Sequence, residues 1–185
     1  MRDIKNVFIV GKPMQIIVSA SIIEQLRIEN SSKVIIYDRF YEALGVYKRL
    51  KAVDVGLLCA NIDFIDTYRH AIKMVRSIDI ENIFIGYDVG FRIFLDLSLL
   101  KMSNRNVKIN VFEEGVGTYR SDLYSGVKKV IFDALGIGTS FGGCYFTDGV
   151  YVFEDDQYRE TFPGSKAGVV KILCGITDVI TSDFR

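Results

Sequence analysis

Paired cysteines are absent from this sequence. The three that occur, Cys59, Cys144 and Cys174, stand alone and odd in number, with no Cys-x-x-Cys spacing among them. That excludes a zinc ribbon or a dithiol redox motif and reads as reduced, buried thiols of a cytoplasmic protein. Histidine is nearly absent too: His70 is the only one, it lies inside a segment of helical period, and it reads as a helix residue rather than a catalytic one. No set of residues with metal-ligand spacing stands out, so neither a metal nor a bound cofactor is expected. Charge of one sign is also missing, since 23 Lys and Arg balance 23 Asp and Glu. A broad nucleic-acid footprint needs a basic excess, so nucleic acid is not an expected partner. Long hydrophobic runs do not occur: Val7 to Val10 is too short for a signal segment, and nothing reaches the length of a membrane span. At most, peripheral contact with a membrane remains.

What is present is ordinary globular composition. With 49% hydrophobic and 25% charged residues over 185 positions, the chain can bury one substantial core, and it reads as a single domain over 1–185. No internal repeat or low-complexity tract interrupts it.

Short apolar, β-branched runs alternate with segments of helical period, the pattern of βαβ units and a parallel sheet. Strands are expected at Asn6–Val10, Lys33–Asp38, Val53–Cys59, Ile83–Tyr87, Val107–Phe112, Val150–Phe153 and Gly168–Leu173. Helices are expected from Pro13 through Leu26, over Tyr41–Leu50, Ile62–Ile78, Phe91–Lys101 and Leu123–Leu135, with one more in Gly175–Arg185. Pro13 suits the first position of its helix. The runs at Val34–Tyr37 and Ile83–Tyr87 are almost wholly apolar, as strands covered on both faces are. The expected fold is therefore α/β: a doubly wound, mostly parallel, Rossmann-like sheet.

In such sheets ligands bind beyond the carboxyl ends of the strands. Three loops fall there: Gly11-Lys12-Pro13-Met14-Gln15, Gly86-Tyr87-Asp88-Val89-Gly90, and Glu113-Glu114-Gly115-Val116-Gly117-Thr118-Tyr119. Adjacent carboxylates repel, which raises the proton affinity of one and suits it to general-base work near neutral pH. Gly115 permits a turn closed to other residues. The alternative is an acidic, solvated turn whose glycines only redirect the chain. Asp88 either lines the cleft or caps the following helix. Lys12 either meets an acidic sugar or sits at an exposed bend. Tyr87 and Tyr119 stand where a ring can stack on a sugar. Gly136–Gly143 has the spacing of neither a Rossmann nor a Walker loop and reads as a flexible connector. Asp155-Asp156 reads as a solvated turn.

The segment Asn110-Val-Phe-Glu-Glu-Gly-Val-Gly-Thr-Tyr119 resembles the acidic Asp/Glu-Asp/Glu-Gly motif of bacterial sialyltransferases, most closely glycosyltransferase family 52, with the capsular polysialyltransferases as relatives. Lys12-Pro13-Met14-Gln15 is similar to the Thr-Pro-x-Gln loop after their first strand, with lysine in place of threonine. Val150 to Glu154, then Tyr158 to Phe162-Pro163, resembles the strand and turn before their interdomain crossing. The resemblance implies the N-terminal, acceptor-side domain of a two-domain GT-B enzyme of capsule or lipooligosaccharide synthesis. It implies Glu114 as general base, Glu113 as the residue that orients or tunes it, and Gly115, Gly117, Thr118, Gln15, Lys12 and Asp88 around the acceptor oligosaccharide. The family's His-Pro motif is absent, so the donor half that would bind CMP-sialic acid is expected to be missing. The chain alone is then inactive and pairs with that half or with a second copy of itself. Two rival readings are a non-catalytic α/β binding module and a GT-B enzyme with another nucleotide-sugar donor.

Overall fold

A computed structural model of the chain describes residues 3–52 and 61–173. The elements run β1 (Asn6–Val10), α1 (Pro13–Leu26), β2 (Ser32–Tyr37), α2 (Ala43–Ala52), β3 (Ile62–Ile65), α3 (Tyr68–Val75), β4 (Asn82–Ile85), α4 (Phe91–Ser103), β5 (Lys108–Phe112), α5 (Gly126–Ala134), β6 (Thr147–Val152), α6 (Asp155–Thr161) and β7 (Gly168–Lys171). The strands form one seven-stranded sheet in the order β3-β2-β1-β4-β5-β6-β7. Every neighbouring pair is parallel. The fold is thus α/β with an all-parallel sheet, and the apolar runs of β2 and β4 are buried as expected.

Alternation along the strands divides the core into two layers. Phe8, Val34, Ile36, Phe84 and Phe112 face α1, which contributes Ile16 and Ile23. Val7, Ile9, Ile35, Ile83 and Val111 face α3 and α4, which contribute Ile72, Leu97 and Leu100. Phe8 of β1 is in register with Phe84 of β4, and their rings stack at 4.2 Å. Truncating a buried ring of this kind costs about 3–5 kcal/mol. Among the described residues no helix is long and apolar enough to cross a membrane.

The structure departs from expectation in three places. Ile62–Ile65 is a strand, not the start of a helix: Ile62 and Phe64 turn to one layer and Ile65 to the other, and the segment pairs with Val34–Tyr37. Thr67 then stops the strand and caps α3, its side chain accepting the His70 N–H at 3.2 Å. His70 itself is exposed. The strand expected at Val53–Cys59 and the helix expected at Gly175–Arg185 lie outside the described residues. Asp155 and Asp156 form the first turn of α6 rather than a loose turn, where acidic groups suit the positive end of the helix dipole.

The third departure concerns Gly136–Gly143, which is held and not a free connector. Val89 and Gly138 form a parallel bridge, and the Gly90 N–H donates to the Gly138 carbonyl at 2.9 Å. Asp88 is wholly buried, and its carboxylate accepts from the Gly142 N–H at 2.9 Å, the Cys144 N–H at 3.0 Å and the Thr147 hydroxyl at 2.6 Å. It therefore neither lines the cleft nor caps α4, whose N-cap is Gly90. Gly142 has φ +73°, and a side chain there would meet Tyr158 and Val150. The segment and the residue after it place Ile137, Phe141 and Cys144 in the core, the work usually done by the crossover helix. That helix, α5, buries none of its residues.

Two outcomes follow. Asp88→Ala leaves three buried donors unpaired and costs about 3 kcal/mol, seen as a fall in Tm of about 6–12 °C. Burial pushes the Cys144 thiol up to about 11, so in the folded chain it resists iodoacetamide at mildly alkaline pH and reacts only after unfolding, as peptide mass mapping will show.

Candidate functional site

The strand order reverses between β1 and β4, and at such a switch point the connections leave a crevice beyond the strand ends. The loop after β1 supplies Lys12 and Gln15, the end of β4 supplies Gly86 and Tyr87, and the end of β5 supplies Glu113 and Glu114. Pro13 at the first turn of α1 turns the chain so that Gln15 lies beneath the crevice. Gln15 is buried, with its Oε1 accepting the Gly11 N–H at 2.7 Å and its Nε2 donating to Glu114 Oε2 at 3.0 Å. Its amide passes directly over Gly86, where any Cβ would collide with it. One side chain thus ties the start of α1 to the acidic turn.

Glu114 Oε2 also meets Lys12 Nζ at 2.9 Å. Its Oε1 takes no hydrogen bond among the described residues. The Glu114 N–H donates to Thr118 Oγ1 at 3.3 Å, and the Thr118 N–H donates to the Gly115 carbonyl at 2.9 Å. These close the 3-10 turn Val116–Tyr119. Gly115 has φ +118° with open space where a side chain would point, so the backbone angle selects glycine there. Gly117 lies on the cavity wall.

The two adjacent carboxylates part company. Glu113 is buried and accepts from Tyr119 Oη at 2.6 Å and the Phe153 N–H at 2.8 Å. The Tyr119 hydroxyl in turn accepts the Glu154 N–H at 3.1 Å. Burial and the bond to Glu113 both push the Tyr119 phenol above its ordinary range. No hydrogen bond joins Glu113 to Glu114 among the described residues. Glu113 therefore braces the turn against the end of β6. Tyr119 is committed to that brace.

A cavity of about 230 Å³ opens above Glu114, lined also by Lys12, Arg39, Tyr87, Thr118 and Arg120. Arg39 was not singled out from the sequence. Its Nη1 donates to Tyr37 Oη at 3.3 Å and Tyr87 Oη at 3.2 Å, and its guanidinium carbon lies 5.5 Å from the Tyr87 ring centroid. The hydrogen bond to Tyr37 holds the guanidinium firmly protonated. Among the described residues Arg39 has no carboxylate partner, whereas Arg120 is paired with Asp122 at 2.9 Å. The wall carries three cations against one carboxylate, which suits a ligand with anionic groups. A larger cavity, about 340 Å³, lies between Gly136–Gly143 and the loop before β7. Its one carboxylate, Asp133, is engaged by Lys129 and Thr139, so the switch-point cavity is the better chemical candidate. Among the described residues no group of three His, Cys, Asp or Glu side chains converges as a metal site.

No protein-family model matches the chain, and no curated protein does. In chain path it is similar to a UGT transferase from Siraitia grosvenorii whose crystal structure is a complex with UDP, at 12% identity and a TM-score of 0.46, over 92% of this chain and 51% of that one. The chain therefore spans about half the length of that protein.

The different surroundings of the two carboxylates predict different costs. Glu113→Ala strands the Phe153 N–H and the Tyr119 hydroxyl and costs about 1–3 kcal/mol. Glu114→Gln keeps an oxygen for Gln15, loses a half-exposed ion pair, and costs at most about 1 kcal/mol. Urea unfolding of both variants checks the order.

Proposed function

We propose that this chain is the acceptor-side domain of an inverting glycosyltransferase and that Glu114 is its general base. The observation that carries the reading is the Glu114 carboxylate at the switch point: one oxygen is fixed by Lys12 and Gln15, and the other is unengaged beneath a cationic cavity. Fixing one oxygen removes rotational freedom from the carboxylate and aims the other at a bound hydroxyl. An acceptor hydroxyl seated in the cavity donates to Glu114 Oε1. As its oxygen attacks the anomeric carbon of the donor from the face opposite the nucleotide, the proton passes to Glu114. The bond to the nucleotide breaks with its electron pair on the departing phosphate oxygen, and the anomeric configuration inverts. Arg39 and Lys12 hold anionic groups of the sugars during the exchange. The likeness of the acidic turn to family 52 supports CMP-sialic acid as the donor, held by a second domain, and capsule or lipooligosaccharide as the product.

A second reading, saccharide binding without catalysis, is favoured by the Lys12–Glu114 ion pair, which neutralises the carboxylate in the resting site. The two separate in the complete enzyme. A positioned general base contributes about a hundred- to ten-thousand-fold in rate. Glu114→Gln is expected to lower kcat by that order with acceptor KM nearly unchanged. An unchanged kcat would place the base elsewhere, and a change confined to acceptor affinity would favour the binding reading.

A further inference from the structure

Helix α5 rests on the domain through Lys129 and the half-buried Phe132. Lys129 donates to Asp133 at 2.8 Å and to Thr139 at 3.3 Å, and Thr139 is buried. These contacts hold Lys129 against the body of the domain, while Lys128 and Asp133 stay exposed. The apolar stripe faces outward: Val127, Val130 and Ile131 are 76%, 67% and 50% exposed, and Leu135 just beyond is 59% exposed. An amphipathic helix in an α/β layer normally does the reverse. The neighbouring helix repeats the pattern along one edge, with Phe91, Leu95, Leu99 and Met102 of α4 all exposed. The two helices are linked through Gly90, the N-cap of α4, which lies against Tyr124, whose ring packs on Phe132 of α5 at 5.2 Å.

The charge on this side of the sheet identifies what covers it. Helices α3, α4 and α5 carry Arg69, Lys73, Arg92 and Lys128 as exposed cations, while Lys101 is engaged by Asp148 and Lys129 by Asp133. The remaining carboxylate of these helices, Asp96, is buried, so their outer surface carries a cationic excess in a chain of zero net charge. A second copy docking through the same face would set like charges together. Exposed apolar side chains together with exposed lysine and arginine are instead the composition of a surface that lies on anionic lipid.

We propose that the α4–α5 face is a docking surface for an anionic bilayer. Val127, Val130, Ile131, Leu95 and Met102 enter the headgroup–acyl boundary, and the cations lie against lipid phosphates. This is independent of the role given to Glu114, because it uses none of the cavity residues.

Flotation of the chain with phosphatidylcholine vesicles, with and without phosphatidylglycerol, tests it. The expected result is binding to the mixed vesicles that is at least roughly tenfold stronger than to phosphatidylcholine alone and weakens as salt rises. Ile131→Asp combined with Met102→Asp is expected to reduce binding by roughly tenfold or more. Lys128→Glu should reduce it to a lesser degree, and it stands in for the double variant if the latter lacks a cooperative melting transition. Tyr41→Ser, at a 92% exposed position beside α2 on the other face, should leave it unchanged. Absence of binding to the mixed vesicles overturns the proposal, as does binding indifferent to Ile131→Asp and Lys128→Glu. Sedimentation showing a dimer that Ile131→Asp dissociates would assign the face to a second copy and overturn it equally.

Discussion

The reversal of strand order between β1 and β4 is the constraint from which the site follows. Left of that point the crossovers run back through β2 to β3, and right of it they run outward through β5 to β7. Connections that diverge cannot cover the strand ends between them, so the loops after β1, β4 and β5 border one crevice. Gln15 exploits that adjacency. Its amide needs two partners when buried, and it finds them 4 and 99 residues away, at Gly11 and Glu114. Packing and polar satisfaction thus specify the same arrangement, and the position of Glu114 is a consequence of it.

The same principle separates two residues that sequence alone treats as a pair. Glu113 and Glu114 are consecutive, so at the end of an extended strand their side chains leave in opposite directions. One goes under the sheet edge to Tyr119 and Phe153; the other goes to Lys12 and Gln15. A buried carboxylate surrounded by donors is a brace. A partly buried one with an unengaged oxygen over a cavity is available for chemistry. The contrast lies in their neighbours and not in the residues.

Much of this was legible in the sequence. The apolar runs of β1, β2, β4 and β5 gave the parallel sheet its identity, and the rule that sites lie beyond strand ends pointed to the loops holding Lys12, Gln15 and Glu114. What escaped depends on contacts between distant residues. Ile62 and Ile65 are spaced three apart, which suits a helix, yet the segment pairs with β2 as a strand. Asp88 reads from sequence as a cleft residue or a helix cap because its actual partners lie 54–59 residues further on. Arg39 is not legible as a site residue because it reaches the crevice only through Tyr37, at the end of β2, and Tyr87, in the loop after β4. Periodicity showed that α5 has an apolar face, but the outward direction of that face is set by the bond to Thr139.

The central claim is that the switch-point crevice, and not the larger cavity beside Gly136–Gly143, is where a saccharide binds. Backbone-amide NMR of the chain titrated with neutral and sialylated oligosaccharides tests this most directly. Shifts are expected to concentrate at Gly11, Gly86, Glu114 and Thr118, larger for the anionic sugars and lost in Arg39→Ala. Shifts concentrated instead at Gly142, Tyr145 and Lys166, or shifts at the crevice indifferent to Arg39, would contradict it.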